Sequence, residues 1–332
     1  MIFFIALAAG ASIIQRDAIQ LEPSDKIALA EALRLKMEVG EDLWPGFGKA
    51  EIPVVVYDDD FEYLFGEPNP PGPWEIVIGD DFLGNPYFSR PAANPQAFAV
   101  NLGRRWAGSL STLSRMNRKI PMKLGPDWYG LELIHEIFHA FQAESAPEAF
   151  AASQAVYALE TRYPFANKDF AASWNAEGAA LAKAMKAAGP SEIRAAADEF
   201  LRIRDARRKA APLSNDLINF ERRLEWLEGL AKYVEIRADE LAVARSDQES
   251  YARYRSGLHF LVQADFARLD KALGRQTGDL RFYLSGMAMA RLLDRLDPHW
   301  KGKALKDHMD LEELLRMAIG KEVDHSFTRR EK

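Results

Sequence analysis

The stretch "LELIHEIFHAFQ", residues 131–142, sets two of the chain's six histidines four residues apart, His135 and His139, with Glu136 beside the first. Leu131, Leu133, Ile134, Ile137, Phe138 and Phe141 surround them, and so apolar a run predicts a buried helix. Burying imidazoles and a carboxylate there is costly unless something satisfies them. On a helix, positions i and i+4 share one face, so both rings can aim a nitrogen at a single ion. Zinc accepts imidazole nitrogen in tetrahedral geometry. Glu136 is rotated about 100° from His135, beside the ion rather than in its inner shell, where it can deprotonate a water. The pattern points to metal-assisted hydrolysis of a peptide bond. Its plainer alternative is a structural pair of buried histidines.

Upstream of this helix the sequence is mixed. "LEPSDKIALAEALRLKMEVG" predicts a helix, with Ser24 or Asp25 as N-cap and Gly40 as its stop. "EIPVVVYDD", "WEIVIGD" and "PQAFAVNL" predict strands, and Trp106–Leu113 a fourth, just before the histidine helix. "GEPNPPGP" must be a loop, because four prolines in eight residues fit neither helix nor ladder. From about Pro147 alanine, leucine, glutamate and arginine dominate, and five long segments carry helical periodicity. The expected class is α+β: a small mixed sheet with the histidine helix, then a mostly helical half, with a zinc cleft between them. The expected division is a possible signal segment over 1–18, a mixed subdomain over 19–145 and a helical subdomain over 146–332.

Composition narrows the function. Net charge is −6, which gives no support for a nucleic-acid partner. The absence of cysteine excludes disulfides and thiolate metal sites. "MIFFIALAAGASIIQRD" reads as a secretory leader without its basic n-region, predicting export to the periplasm or medium; otherwise the protein is cytoplasmic. No later segment has the apolar length of a membrane span, so no stable span is expected after leader removal.

A catalytic zinc needs a third protein ligand and an open position. "HAFQAESAPEAF" offers no third histidine soon after His139, so a later glutamate is required. In "ERRLEWLEGLAKYVE", Glu221, Glu225, Glu228, Lys232 and Glu235 form one stripe at helical spacing. Such a stripe commonly faces solvent. Gly229 costs about 1 kcal/mol relative to alanine in a helix, which makes sense if a backbone or a metal site approaches closely. "WNAEGAALAKA" supplies a second Glu-Gly pair, Glu177 and Gly178, so Glu228, Glu177 and Glu225 all stand as candidates.

"HEIFH" followed much later by "LEGLAKY" resembles the gluzincin class of zinc metallopeptidases, the thermolysin and membrane-alanyl-aminopeptidase superfamily. The match covers these two short segments. It implies a zinc peptidase acting on peptide or protein substrates, with His135, His139 and Glu228 as ligands to Zn2+ and Glu136 as general base. Two positions depart from the class. Leu227 stands where many members have Asn, and Lys232 where thermolysin-like members have an Asp that orients one histidine. Glu225 or Asp239 is the expected substitute. The resemblance also asks for an oxyanion donor in the helical half, and Tyr283, three residues before Gly286, is the first choice, ahead of Tyr233 and His299. Gly286 would admit a helix or substrate. The alternative to a peptidase is an inactive relative serving as a binding or scaffold protein. Retention of Glu136 speaks against it, because holding zinc does not need a base. "QAFAVNLGRRWAGSL" is the expected sheet edge for an extended substrate, with Arg104 and Arg105 as possible carboxylate holders. His259, His308 and His325 show no partner pattern and are expected to be structural or exposed.

Overall fold

The computed structural model describes residues 19–306 and 309–320; the expected leader, His308 and His325 lie outside them. The architecture is α+β, a six-stranded mixed sheet followed by a mostly helical remainder. Helix α1 (Pro23–Leu43) starts with Glu22 at the N-cap and Pro23 in the first turn, where proline's missing N–H costs nothing. Asp25 is not the cap. It is buried and accepts from the Ser114 N–H (2.9 Å) and hydroxyl (2.6 Å). Nor does Gly40 stop the helix: its carbonyl still accepts from Trp44 (2.9 Å).

The strands are β1 (Val54–Tyr57), β2 (Phe61–Phe65), β3 (Glu75–Ile76), β4 (Phe88–Pro91), β5 (Phe98–Asn101) and β6 (Trp106–Ser111). Their order is β3-β4-β2-β1-β6-β5, with only the β1–β6 pair parallel. The sequence reading missed β2 and β4 and overestimated "WEIVIGD", which gives a two-residue edge strand. The reason is pairing across distance. Glu62 in β2 is buried, and Arg90 of β4 supplies its partner (2.6 Å). Strand alternation sends Val54 and Val56 into the main core and Val55 and Leu64 into a smaller cluster on the other face.

A short helix α2 (Leu113–Lys119), capped by the Thr112 hydroxyl, separates β6 from the histidine helix; the expected strand stops at Ser111. Helix α3 (Pro126–Ser145) packs on β6 and β5. Gly108 of β6 permits this closeness: a Cβ there would stand 2.7 Å from the Ile137 Cα. The rest comprises α4 (Pro147–Ala155), a 3-10 stretch (Val156–Arg162), α5 (Lys168–Lys186), α6 (Pro190–Ala210), α7 (Asn215–Ala244), α8 (Phe260–Ala272), α9 (Leu280–Leu296), α10 (Trp300–Lys306) and α11 (Leu311–Gly320).

Helix α7 is the pivot, packed against α9, α3 and α1. At its crossing with α9, Gly229 meets Gly286; a Cβ on Gly229 would stand 2.5 Å from the Gly286 Cα. Both glycines therefore serve helix approach, and Gly286 admits a helix rather than substrate. One apolar cluster runs from Leu21 to Ala318, continuous across residues 145 and 146. No described helix is long and apolar enough to cross a membrane.

Candidate metal centre

The centre lies where α3 faces α7. Both histidines are buried, His135 at 4% and His139 at 1% exposure, and so is Glu228 at 1%. The stripe Glu221, Glu225, Glu228, Lys232, Glu235 is buried along its whole length, not turned to solvent. One Nε2 from each histidine and one Glu228 oxygen all lie within 4.8 Å of one another. The two Nε2 atoms are 3.1 Å apart, and Glu228 Oε2 is 3.1 Å from that of His139 and 3.7 Å from that of His135.

The outer nitrogens decide what these atoms are. His135 Nδ1 lies 3.0 Å from Glu235 Oε2, an acceptor when ionised, so Nδ1 carries the proton. His139 Nδ1 lies 3.0 Å from Gln142 Oε1. The Gln142 amide is oriented by its Nε2, which donates to the carbonyls of Trp226 (3.0 Å) and Leu227 (3.2 Å). Its oxygen must then accept from His139. In the neutral rings both Nε2 atoms are therefore lone pairs, and they face each other across a carboxylate. Three electron-pair donors so placed repel unless a cation lies among them.

The titration behaviour expresses the same demand. Burial works to lower the His135 pKa, yet the neighbouring carboxylates of Glu228 and Glu235 carry it up to about 10. Burial works to raise Glu228, but His139 and His135 hold it below the usual carboxylate range. A proton on His135 Nε2 occupies the place a metal cation would take.

Glu136 is buried at 7% exposure, and its Oε2 has no hydrogen-bond partner among the described residues. Burial pushes it up to about 8; His135 opposes the rise, and Glu228 adds to it. The Tyr283 ring stacks on His135 with centroids 5.5 Å apart. Burial, then the negative charge of Glu228, keeps the Tyr283 phenol protonated. Tyr157 adds a second phenol, with its hydroxyl 2.8 Å from Glu228 Oε1 and 3.0 Å from Asp279 Oδ2. On the sheet side, Phe98 of the edge strand β5 packs on His139 with centroids 4.5 Å apart.

Comparison of the chain with protein-family models, with curated proteins and with solved structures finds no match.

The remaining candidates are used elsewhere. Glu177 bonds Arg204 (3.0 Å) and Arg207, and Glu225 bonds Arg204 (2.9 and 2.5 Å) and Ser285 (2.6 Å). Neither completes the histidine pair. Nor does Glu225 or Asp239 orient a histidine: Asp239 accepts from the His259 backbone (2.8 Å), and Glu235 and Gln142 do the orienting. The physical reason is register. Glu235 lies seven residues after Glu228, nearly two full turns, on the same face of α7. Lys232, between them, bonds Glu235 (2.6 Å) and Asp265 (2.7 Å) and holds that carboxylate charged. Tyr233 donates to Asp294 (2.7 Å), His299 is exposed, and Arg104 is exposed while Arg105 reaches the Glu51 carbonyl. His259 caps α8, its Nδ1 accepting from Leu261 (3.3 Å).

Gln142 and Tyr157 escaped the sequence reading. Gln142 lies three residues after His139 on the same face, a signal that was legible. Tyr157 and Glu228 are 71 residues apart, and nothing local joins them.

Proposed function

We propose that the protein is a zinc-dependent peptidase of the gluzincin type, with its cleft between the β5 edge of the sheet and helices α7 and α9. One observation carries the reading: two imidazole lone pairs and a carboxylate converge, and Glu136 Oε2, a buried carboxylate oxygen without a hydrogen-bond partner among the described residues, stands beside them. The donor set of two imidazoles and one carboxylate is one zinc accepts with a position left open. His135, His139 and Glu228 would hold the ion. Bound there, it would supply Lewis acidity, polarising a carbonyl and making water easier to deprotonate.

The chain's own residues do the rest. Glu136 takes a proton from the attacking water at its carboxylate and returns it to the leaving amine. Its buried setting favours the protonated form, which suits the second half of that cycle. Tyr283, kept protonated, offers its O–H to the developing oxyanion, and Tyr157 stands on the other oxygen of Glu228. Among the described residues β5 forms an edge of the sheet, so an extended peptide can add to it as a further strand.

The test is zinc analysis and peptide-library cleavage of the wild type and of Glu136→Gln. The expected result is about one zinc per chain in both. Melting temperatures should match, and hydrolysis should fall by roughly 10²–10⁴-fold in the variant, the scale for losing a general base. Unchanged cleavage in Glu136→Gln would remove that residue from the role. A wild type that holds zinc and cleaves nothing in a broad library is an inactive binding protein, not a peptidase.

A further inference from the structure

Glu228 and His139 reach the centre from helices far apart in sequence, yet their relative position must be held to a few tenths of an ångström for both to meet one ion. One side chain touches both partners of that problem. Gln142 is fully buried. Its Oε1 lies 3.0 Å from His139 Nδ1, and its Nε2 donates to the backbone carbonyls of Trp226 and Leu227, the two residues just before Glu228. From the opposite side, Gly286 of α9 presses on Gly229, the residue just after Glu228. The ligand segment of α7 is pinned on both flanks.

We propose that Gln142 is a positioning residue that sets the tautomer of His139 and the placement of Glu228 together, through a single amide. This rests on the reading of His135, His139 and Glu228 as a metal centre. The two histidines are thereby held in unlike ways. His135 is oriented by a carboxylate whose charge Lys232 balances, and His139 by a neutral amide locked to helix backbone. Leu227, where the resembling class often has Asn, contributes its carbonyl to this lock rather than a side chain. An amide suits the task because it accepts at one end and donates at the other. A carboxylate in its place would face two carbonyl oxygens, and a hydrocarbon would leave the His139 Nδ1–H buried without an acceptor. Outer partners of this kind are worth about 10–100-fold in metal affinity.

Two measurements test it. In Gln142→Met, close in volume but without amide groups, zinc affinity by chelator competition should weaken about 10–100-fold. The melting temperature of the metal-free protein should stay near that of wild type, and the visible bands of the cobalt-loaded variant should shift. A folded variant whose zinc affinity stays within about twofold of wild type would overturn the proposal. The second measurement needs no variant: the imidazole 15N spectrum of metal-free wild type at neutral pH. A proton on His139 Nδ1 supports the proposal, and an Nε2–H tautomer with bare Nδ1 overturns it. Because this spectrum needs no metal, its failure is distinct from failure of the zinc reading, which would show as wild type that binds no zinc.

Discussion

Helix α7 carries two buried acidic sites on one stripe, and they are satisfied in opposite ways. Towards its N-terminal end, Glu221 and Glu225 meet the guanidinium groups of Arg204, Arg207 and Arg208, which also bind Glu177 and Glu312. Tyr163 donates to Glu221 (2.6 Å) and Ser285 to Glu225 (2.6 Å). Every carboxylate in that cluster faces a fixed cation. One turn further on, Glu228 faces two histidine lone pairs, and Glu136 Oε2 has no hydrogen-bond partner among the described residues. The first site brings its own positive charge; the second is a group of donors that could hold a metal ion. The same residue type at the same spacing thus gives a structural knot in one place and a candidate reaction centre in the other. What separates them is which neighbouring helix supplies the donors: α6, with its arginines, or α3, with its histidines.

The sharpest way to break this contrast is to remove a ligand and a structural carboxylate in parallel. His139→Ala or Glu228→Ala should strip zinc from about one per chain to near none, since two remaining ligands hold it poorly. Glu177→Ala should keep its zinc. Metal retained in Glu228→Ala and lost in Glu177→Ala would reverse the assignment of the two sites.

A smaller effect is expected from the arginine side. Arg204→Met leaves Glu177 and Glu225 buried with one cation fewer, and breaking such a pair typically costs about 3–5 kcal/mol. Denaturant unfolding should show that loss while zinc content per folded chain stays unchanged. A variant as stable as wild type would mean that the cluster tolerates the missing charge.

The knot should also govern acid stability. Burial pushes Glu221 up, but Arg207 and Arg208 outweigh it and hold the carboxyl at about 2. A carboxyl depressed on folding stabilises fully above its unfolded value, near 4.3, and loses that contribution as pH falls through the folded one. Stability should therefore decline between roughly pH 4.5 and 2. Glu221→Gln should flatten that limb of the profile, and an unchanged slope would locate acid sensitivity elsewhere.

The smallest effect is steric. Gly286→Ala inserts a methyl group against the α7 backbone at the Glu225 carbonyl and at Gly229 and should cost about 1–3 kcal/mol, as overpacking does. Because Glu228 adjoins Gly229, zinc affinity should weaken as well. Lost stability with unaltered affinity would show that the crossing is not what seats the ligand.

By itself the sequence determined the local parts. The helical spacing of His135 and His139, the position of Glu136 between them and the register of Glu228 against Gly229 were all legible, because a helix fixes which residues share a face. So were the five long helices of the second half and the strands at β1, β5 and β6. Tertiary structure decided what local rules do not reach. It paired Glu62 with Arg90, so that β2 became a strand. It gave Glu177 and Glu225 to the arginines of α6, leaving Glu228 for the histidines. It made Glu235 and Gln142, rather than Glu225 or Asp239, the orienting partners, and brought Tyr157 to Glu228 across 71 residues. A buried charge is satisfied by whatever polar group packing delivers to it, and that delivery depends on how helices dock, not on spacing along any one of them.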